Sequence, residues 1–201
     1  MLSEAANRHG SRKFFLANNS GFFALFLLGL GFIMFWLPSI SPDQLQVALA
    51  QQDWQAADQA NYELLLKIAG SKSKSQGQFD LEEWENLPCE KLKKIDILWR
   101  KASDKKFGFT AQLEIYKKVN YDAEKYYQEI GLKNEKEWLV IWGYNEEQKI
   151  VEYASGYEPN FTQKSLTNFP KGYLPIKMYW EDKTDRRLEK VLKCQKYGNW
   201  Y

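Results

Sequence analysis

From Gly21 to Leu37 the chain reads GFFALFLLGLGFIMFWL, without a charged or strongly polar side chain, and Pro38 ends the run. At about 1.5 Å per residue, a helix over 21–38 comes near the short limit for crossing a hydrocarbon core of roughly 30 Å. The sequence therefore predicts an N-terminal tail over 1–20, a transmembrane helix over 21–38 and one helical domain over 41–201. Trp36 stands where an indole rests at headgroup level, and Arg12 and Lys13 flank the other end. A cleavable signal peptide is the alternative, but no Ala-x-Ala site follows, which favours an anchor. Arg8, Arg12 and Lys13 before the span, with Asp43 and Asp53 after it, place the domain of this single-pass membrane protein on the non-cytoplasmic side by the positive-inside rule.

Several function classes are excluded by what the rest of the chain lacks. The 28 basic and 26 acidic residues leave a formal charge of +2 with no basic stripe, so nucleic acid is not an expected partner. His9 is the single histidine and precedes the apolar run, which removes Ser-His-Asp and Cys-His nucleophilic schemes and the usual haem ligand from the domain. Adjacent carboxylates such as Glu82 and Glu83, or Glu146 and Glu147, sit in charged stretches, whereas paired acid–base catalysis needs contrasting environments. The expectation is that the chain is not an enzyme. Cys89 and Cys194 form no Cys-x-x-Cys motif, and they can pair only if the fold brings their Cα atoms within about 7 Å. Sequence leaves that open.

Hydrophobic periodicity after the span is helical. Ser41-Pro42-Asp43 starts a helix carrying Leu45, Ala48 and Leu49, and Asp53 caps a second with Trp54, Ala57, Leu64, Leu65 and Ile68, to be stopped by a left-handed Gly70. The polar run 71–78 (SKSKSQGQ) reads as a flexible loop. Asp80 and Glu83 form a capping pattern for a short helix broken by Pro88. Leu92, Ile95, Leu98 and Trp99 give the next apolar face, with Asp96 directed outward or to a neighbouring backbone. Helices near 110–116 and 123–130 follow, then β-branched and aromatic runs at 138–142 and 173–180, and a last short helix with Leu188, Val191 and Leu192. The fold class is mainly α, a compact helical domain with little β. Aromatics make up 16% of the chain, including 8 Trp and 12 Tyr, which favours a flat apolar ligand.

The middle of the chain carries separated motifs in a specific order: Leu87-Pro88-Cys89, Leu92, Ile95-Asp96, Leu98-Trp99, Ser103, Phe107-Gly108-Phe109-Thr110, Gln112 and Ile115-Tyr116. They resemble the Genomes-Uncoupled-Four family of porphyrin-binding proteins. Upstream, Asp53 to Asp58 (DWQAAD) is similar to the family's first conserved helix, and downstream Pro170 to Pro175 (PKGYLP) is similar to its glycine-histidine-leucine-proline turn. The likeness covers roughly Leu45 to Cys194.

The resemblance implies an all-helical, non-catalytic fold that binds protoporphyrin or magnesium protoporphyrin as ligand and regulates magnesium chelatase in chlorophyll synthesis, with a chelatase subunit as partner and no obligatory cofactor. By the same resemblance the porphyrin-binding residues are Phe107 and Phe109 on one side, and Tyr173, Tyr179, Trp180, Arg186 and Arg187 on the other. A guanidinium fork suits a propionate. Asp96 is expected to anchor a loop rather than a metal, and neither a catalytic nor a metal site is expected. Three departures mark the chain as a divergent, membrane-anchored member: Tyr173 replaces the family histidine, Leu87 replaces a phenylalanine, and residues 131–138 (GLKNEKEW) lack the glycine-tryptophan-arginine segment. The alternative is a sensory or protein-interaction module of the same fold that has lost strong porphyrin binding. The membrane side of the domain stays open, because pigment enzymes work on the cytoplasmic or stromal side.

Overall fold

The chain divides into two units, Met1–Ser39 and Ile40–Tyr201. The computed structural model describes residues 42–161, 169–180, 185–198 and 200, all in the second unit. The described elements are α1 (Pro42–Ala50), α2 (Trp54–Ala69), α3 (Ser71–Gln76), α4 (Leu81–Asn86), α5 (Cys89–Ala102), α6 (Phe109–Lys118), α7 (Ala123–Glu129), β1 (Trp142–Asn145), β2 (Ile150–Tyr153) and α8 (Arg187–Tyr197). A mainly α domain with little β agrees with the sequence. The expected transmembrane helix is a correction: no helix among the described residues is long and apolar enough to cross a membrane. The stretch 21–38 on which that expectation fell lies outside the described residues. Single-pass membrane localisation, and the membrane as a partner, go with it.

Local chemistry explains where most helices begin. The Asp53 carboxylate accepts from Ala56 N at 3.1 Å, that of Asp80 from Glu83 N at 3.1 Å and that of Asp122 from Lys125 N at 3.1 Å, so α2, α4 and α7 each start on a satisfied N-terminal amide. Glu83 does not complete a box with Asp80. It reaches instead to Lys72 N (3.0 Å) and Ser73 N (2.7 Å), the unpaired donors at the start of α3. That is why 71–76, expected as a flexible loop, is helical. Gly70 is extended rather than left-handed, at φ 162°, and a Cβ there would fall 2.2 Å from the Glu83 carboxyl. The left-handed glycine is Gly77 at φ 67°, where a Cβ would meet the Lys149 carbonyl.

One buried cluster joins the elements. Leu45 and Leu49 of α1, Trp54, Ala57 and Leu65 of α2, Leu92 and Trp99 of α5, Leu113 of α6 and Val191 of α8 all belong to it. The Trp99 indole donates to Asn61 Oδ1 at 3.0 Å, which satisfies a polar atom that burial would otherwise leave costly. Asp96 is buried and anchors the start of α6, as expected of a loop anchor.

The hairpin β1–β2 pairs antiparallel with Trp142 opposite Tyr153 and Asn145 opposite Ile150. Tyr153 ties it to α2 by donating to Asp58 Oδ2 at 3.0 Å. The extended run 173–180 threads the core: Asp58 Oδ1 accepts from Ile176 N at 2.8 Å, and the Pro175 carbonyl accepts from Gln112 Nε2 at 2.7 Å. The run ends beside Phe79, whose N–H donates to the Tyr179 carbonyl at 3.1 Å, with Phe79 and Trp180 in a parallel bridge. Cys89 and Cys194 are 5.3 Å apart at Cα and form a disulfide, which resolves what sequence left open.

Candidate functional site

The meeting of residues 72–81 with Trp180 and Arg186 leaves a cavity of about 540 Å³. Its position follows from three local facts. Glu83 fixes α3 beside α4, the Phe79–Trp180 bridge brings the end of the extended run against the loop between those helices, and Trp84 Nε1 donates to the Arg186 carbonyl at 3.4 Å.

Two aromatic residues of the wall, Phe79 and Trp180, are held by Trp84 behind them. Phe79 lies 4.9 Å from Trp84 and 5.1 Å from Trp180 between ring centroids, and Trp84 meets Trp180 edge-on at 5.3 Å. Edge and tilted contacts of this kind hold rings in defined orientations. Leu81, Phe79 and Trp180 present apolar surface to the cavity. Trp180 is only 3% exposed, yet its indole N–H has no acceptor among the described residues. That N–H is itself inaccessible, so Trp180 offers the cavity apolar ring surface rather than a donor.

The polar lining is Lys72, Gln76, Gln78, Asp80 and Arg186. Lys72 Nζ and Asp80 Oδ2 are 2.5 Å apart. The Lys72 ammonium, and after it the Glu83 N–H, hold the Asp80 carboxyl below its ordinary value, and Asp80 in turn raises Lys72. Lys72 is 58% exposed, so this ion pair is water-screened. The cavity thus combines flat apolar walls with two cations and two amides, the components that an aromatic carboxylate requires. Among the described residues no cluster of histidine, cysteine, aspartate or glutamate is arranged to hold a metal.

The seven residues singled out from sequence fall in several places. Trp180 and Arg186 line the cavity. Tyr179 is half-buried next to it and stacks on Tyr144 of β1 at 5.9 Å. Phe107 and Phe109 are buried in the core, with Phe107 edge-on to Trp54 at 5.3 Å and 6.2 Å from Phe169. Tyr173 stacks on Phe169 at 4.9 Å, so Phe107 and Tyr173 share a second aromatic cluster. Arg187 is fully buried, and its guanidinium donates to Asp185 Oδ2 at 2.6 Å and to the Pro175 carbonyl at 2.7 Å. Burial pulls its pKa down, but Asp185 together with Tyr126 and Tyr127 outweighs that and raises it. Sequence reasoning did not find Phe79, Leu81 or Lys72. The available signal was Phe79, the lone apolar residue between the polar run 71–78 and the Asp80 cap.

Fold and cavity together define a class: a mainly helical binding domain with a small aromatic cleft. A family model described as GUN4-like matches residues 39–180, and the chain belongs to that family. A curated relative, the chloroplastic tetrapyrrole-binding protein of Arabidopsis thaliana, is 27% identical over 135 residues, 67% of this chain and 47% of the relative. The ycf53 protein of Pyropia yezoensis, described as uncharacterized, is 32% identical over 132 residues, 66% of this chain and 48% of the relative. The chain spans about half the length of the curated relatives it matches. The solved structure of GUN4 from Chlamydomonas reinhardtii has TM-score 0.56 at 22% identity, covering 78% of this chain and 90% of that one. The ligand-free Arabidopsis thaliana GUN4 structure has TM-score 0.53 at 23% identity, covering 82% and 96%. These two likenesses speak for the fold alone. Proteins of the GUN4 family are non-catalytic regulators, in agreement with the expectation of no enzymatic activity. Membership supports a tetrapyrrole-binding role at the level of the family.

Proposed function

We propose that the cleft binds protoporphyrin or magnesium protoporphyrin and that the loaded domain regulates magnesium chelatase through contact with one of its subunits. The observation that carries this reading is the cavity itself, whose wall offers Phe79, Leu81 and Trp180 beside the Arg186 cation. The ring lies against the aromatic wall, while a propionate accepts from the Arg186 guanidinium. Phe107, Phe109 and Tyr173 support the extended run from inside the core. Tyr179 flanks the ring, and Arg187 fixes the start of α8. The tetrapyrrole named for the Arabidopsis relative supports the same ligand class.

Neutralising the ligand's charge separates this binding mode from simple hydrophobic adsorption. A charge-assisted hydrogen bond contributes about 1.5–3 kcal/mol, so Arg186→Gln should weaken protoporphyrin by roughly tenfold or more. The same change should leave the dimethyl ester of protoporphyrin, which has no carboxylate, nearly unaffected. Equal losses for acid and ester would remove Arg186 as the propionate partner.

A further inference from the structure

We propose that the Cys89–Cys194 disulfide is a redox-controlled latch on the cleft, opened by a dithiol reductant and thereby lowering ligand affinity. The ligand side of this inference rests on the tetrapyrrole reading above.

One face of the last helix and the residue before it hold a seam along 84–89. The Arg186 carbonyl accepts from Trp84 Nε1 at 3.4 Å, Lys190 Nζ donates to the Glu85 carbonyl at 2.5 Å, Lys193 Nζ pairs with Glu85 Oε2 at 2.8 Å, and Cys194 is bonded to Cys89. Positions 186, 190, 193 and 194 recur at helical spacing, so these ties lie along one line. The first tie stands at the cleft wall, where Trp84 packs edge-on against Trp180 and Arg186 lines the cavity. The covalent tie closes the other end. Of the non-covalent ties, the indole bond is long and the Lys193–Glu85 pair is exposed, so both are weak. The disulfide is the covalent member of the seam, and its loss leaves α8 held along 84–89 by the Lys190–Glu85 carbonyl bond and these two weak ties.

The exchange chemistry has a defined direction. Cys194 is 1% exposed, whereas Cys89 is half-buried, so an attacking thiolate reaches Cys89 Sγ. The S–S bond breaks, Cys194 leaves as a thiolate and takes a proton, and a mixed disulfide joins Cys89 to the reductant. The reductant's second thiol then attacks and becomes part of its own disulfide, releasing Cys89. Two electrons and two protons pass from the dithiol to the protein. Cys89 opens the 14-residue α5, where free helix N–H groups favour its thiolate as the departing group.

The full chain is titrated with protoporphyrin IX in its oxidised form and after reduction by dithiothreitol, while hydrogen exchange of the 187–197 amides is followed in both states. The latch predicts affinity at least about tenfold lower after reduction, faster exchange of those amides, and a Cys89→Ser/Cys194→Ser variant that behaves as the reduced form and ignores dithiothreitol. Reduction of the already folded chain keeps the test intact if that variant fails to fold. Equal affinity before and after reduction overturns the latch and leaves the ligand reading standing, and so does an equal response to dithiothreitol in the double variant. If neither state binds protoporphyrin, the ligand reading fails, and unchanged exchange over 187–197 then overturns the latch while faster exchange after reduction supports it.

Discussion

Asp96 on α5 accepts twice from a single residue, from Thr110 N at 2.8 Å and from Thr110 Oγ1 at 2.5 Å, and so clamps the start of α6 to α5. Gly108 makes the approach possible, because a Cβ at its φ of +109° would lie 2.6 Å from Asp96 Oδ1. Burial raises the Asp96 pKa while the two Thr110 bonds oppose that rise. Thr110→Val keeps the shape and removes the hydroxyl donor, so it should cost about 1–3 kcal/mol, read as a lower urea midpoint. A midpoint unchanged within error would show that the hydroxyl adds nothing to the clamp.

Phe79 touches Tyr62, Trp84 and Trp180, so it joins α2, α4 and the extended run. Phe79→Ala should destabilise the domain by about 3–5 kcal/mol and weaken ligand binding beyond that, since it removes part of the cleft wall. Phe79→Leu should recover most of the stability but not the affinity. Full recovery of both by leucine would show that the ring as such does not matter.

Acid should reach the cleft through Asp80. Its folded pKa lies below the ordinary 3.8, first because of the Lys72 ammonium and then because of the Glu83 N–H. The sign follows from the depressed value: the stabilisation is complete above the unfolded pKa and is lost as pH falls through the folded one. Tryptophan emission should therefore stay flat from pH 8 to about 5 and change only below about 4. Asp80→Asn should flatten the acid response while keeping the α4 cap, because asparagine caps nearly as well. An acid transition of the same size in Asp80→Asn would assign it to another carboxylate.

The disulfide closes a separation of 105 residues. Loop entropy for a span of that size predicts a loss of about 4–5 kcal/mol when it is removed, measured by comparing urea midpoints of the oxidised chain and Cys89→Ser/Cys194→Ser. A loss under about 1 kcal/mol would mean that the reduced chain keeps the same restraint by packing alone.

Local signals carried most of the fold, and long-range ones were missed. Asp53, Asp80 and Pro88 mark helix boundaries within a few residues of themselves, which is why those boundaries were legible. Helix α3 was not, because its capping group is Glu83, which lies beyond the next turn. Arg187 was named through family resemblance as a porphyrin-binding residue. Its burial depends on Pro175 and Asp185 meeting it after the extended run folds back. For the site, sequence named Trp180 and Arg186 through family resemblance, and both line the cleft. Phe79 escaped because a single apolar residue in a polar stretch has no periodicity to reveal its partner.

The most direct test of the account is a titration of the full chain with protoporphyrin, following tryptophan emission in the parent chain and in Trp180→Phe. The account predicts saturable quenching with a Kd of about 1 μM or tighter, roughly 8 kcal/mol, and a weaker complex in Trp180→Phe, which presents a smaller ring to the cleft. Emission that falls only linearly with added porphyrin, identically in both proteins, would contradict tetrapyrrole binding at this cleft.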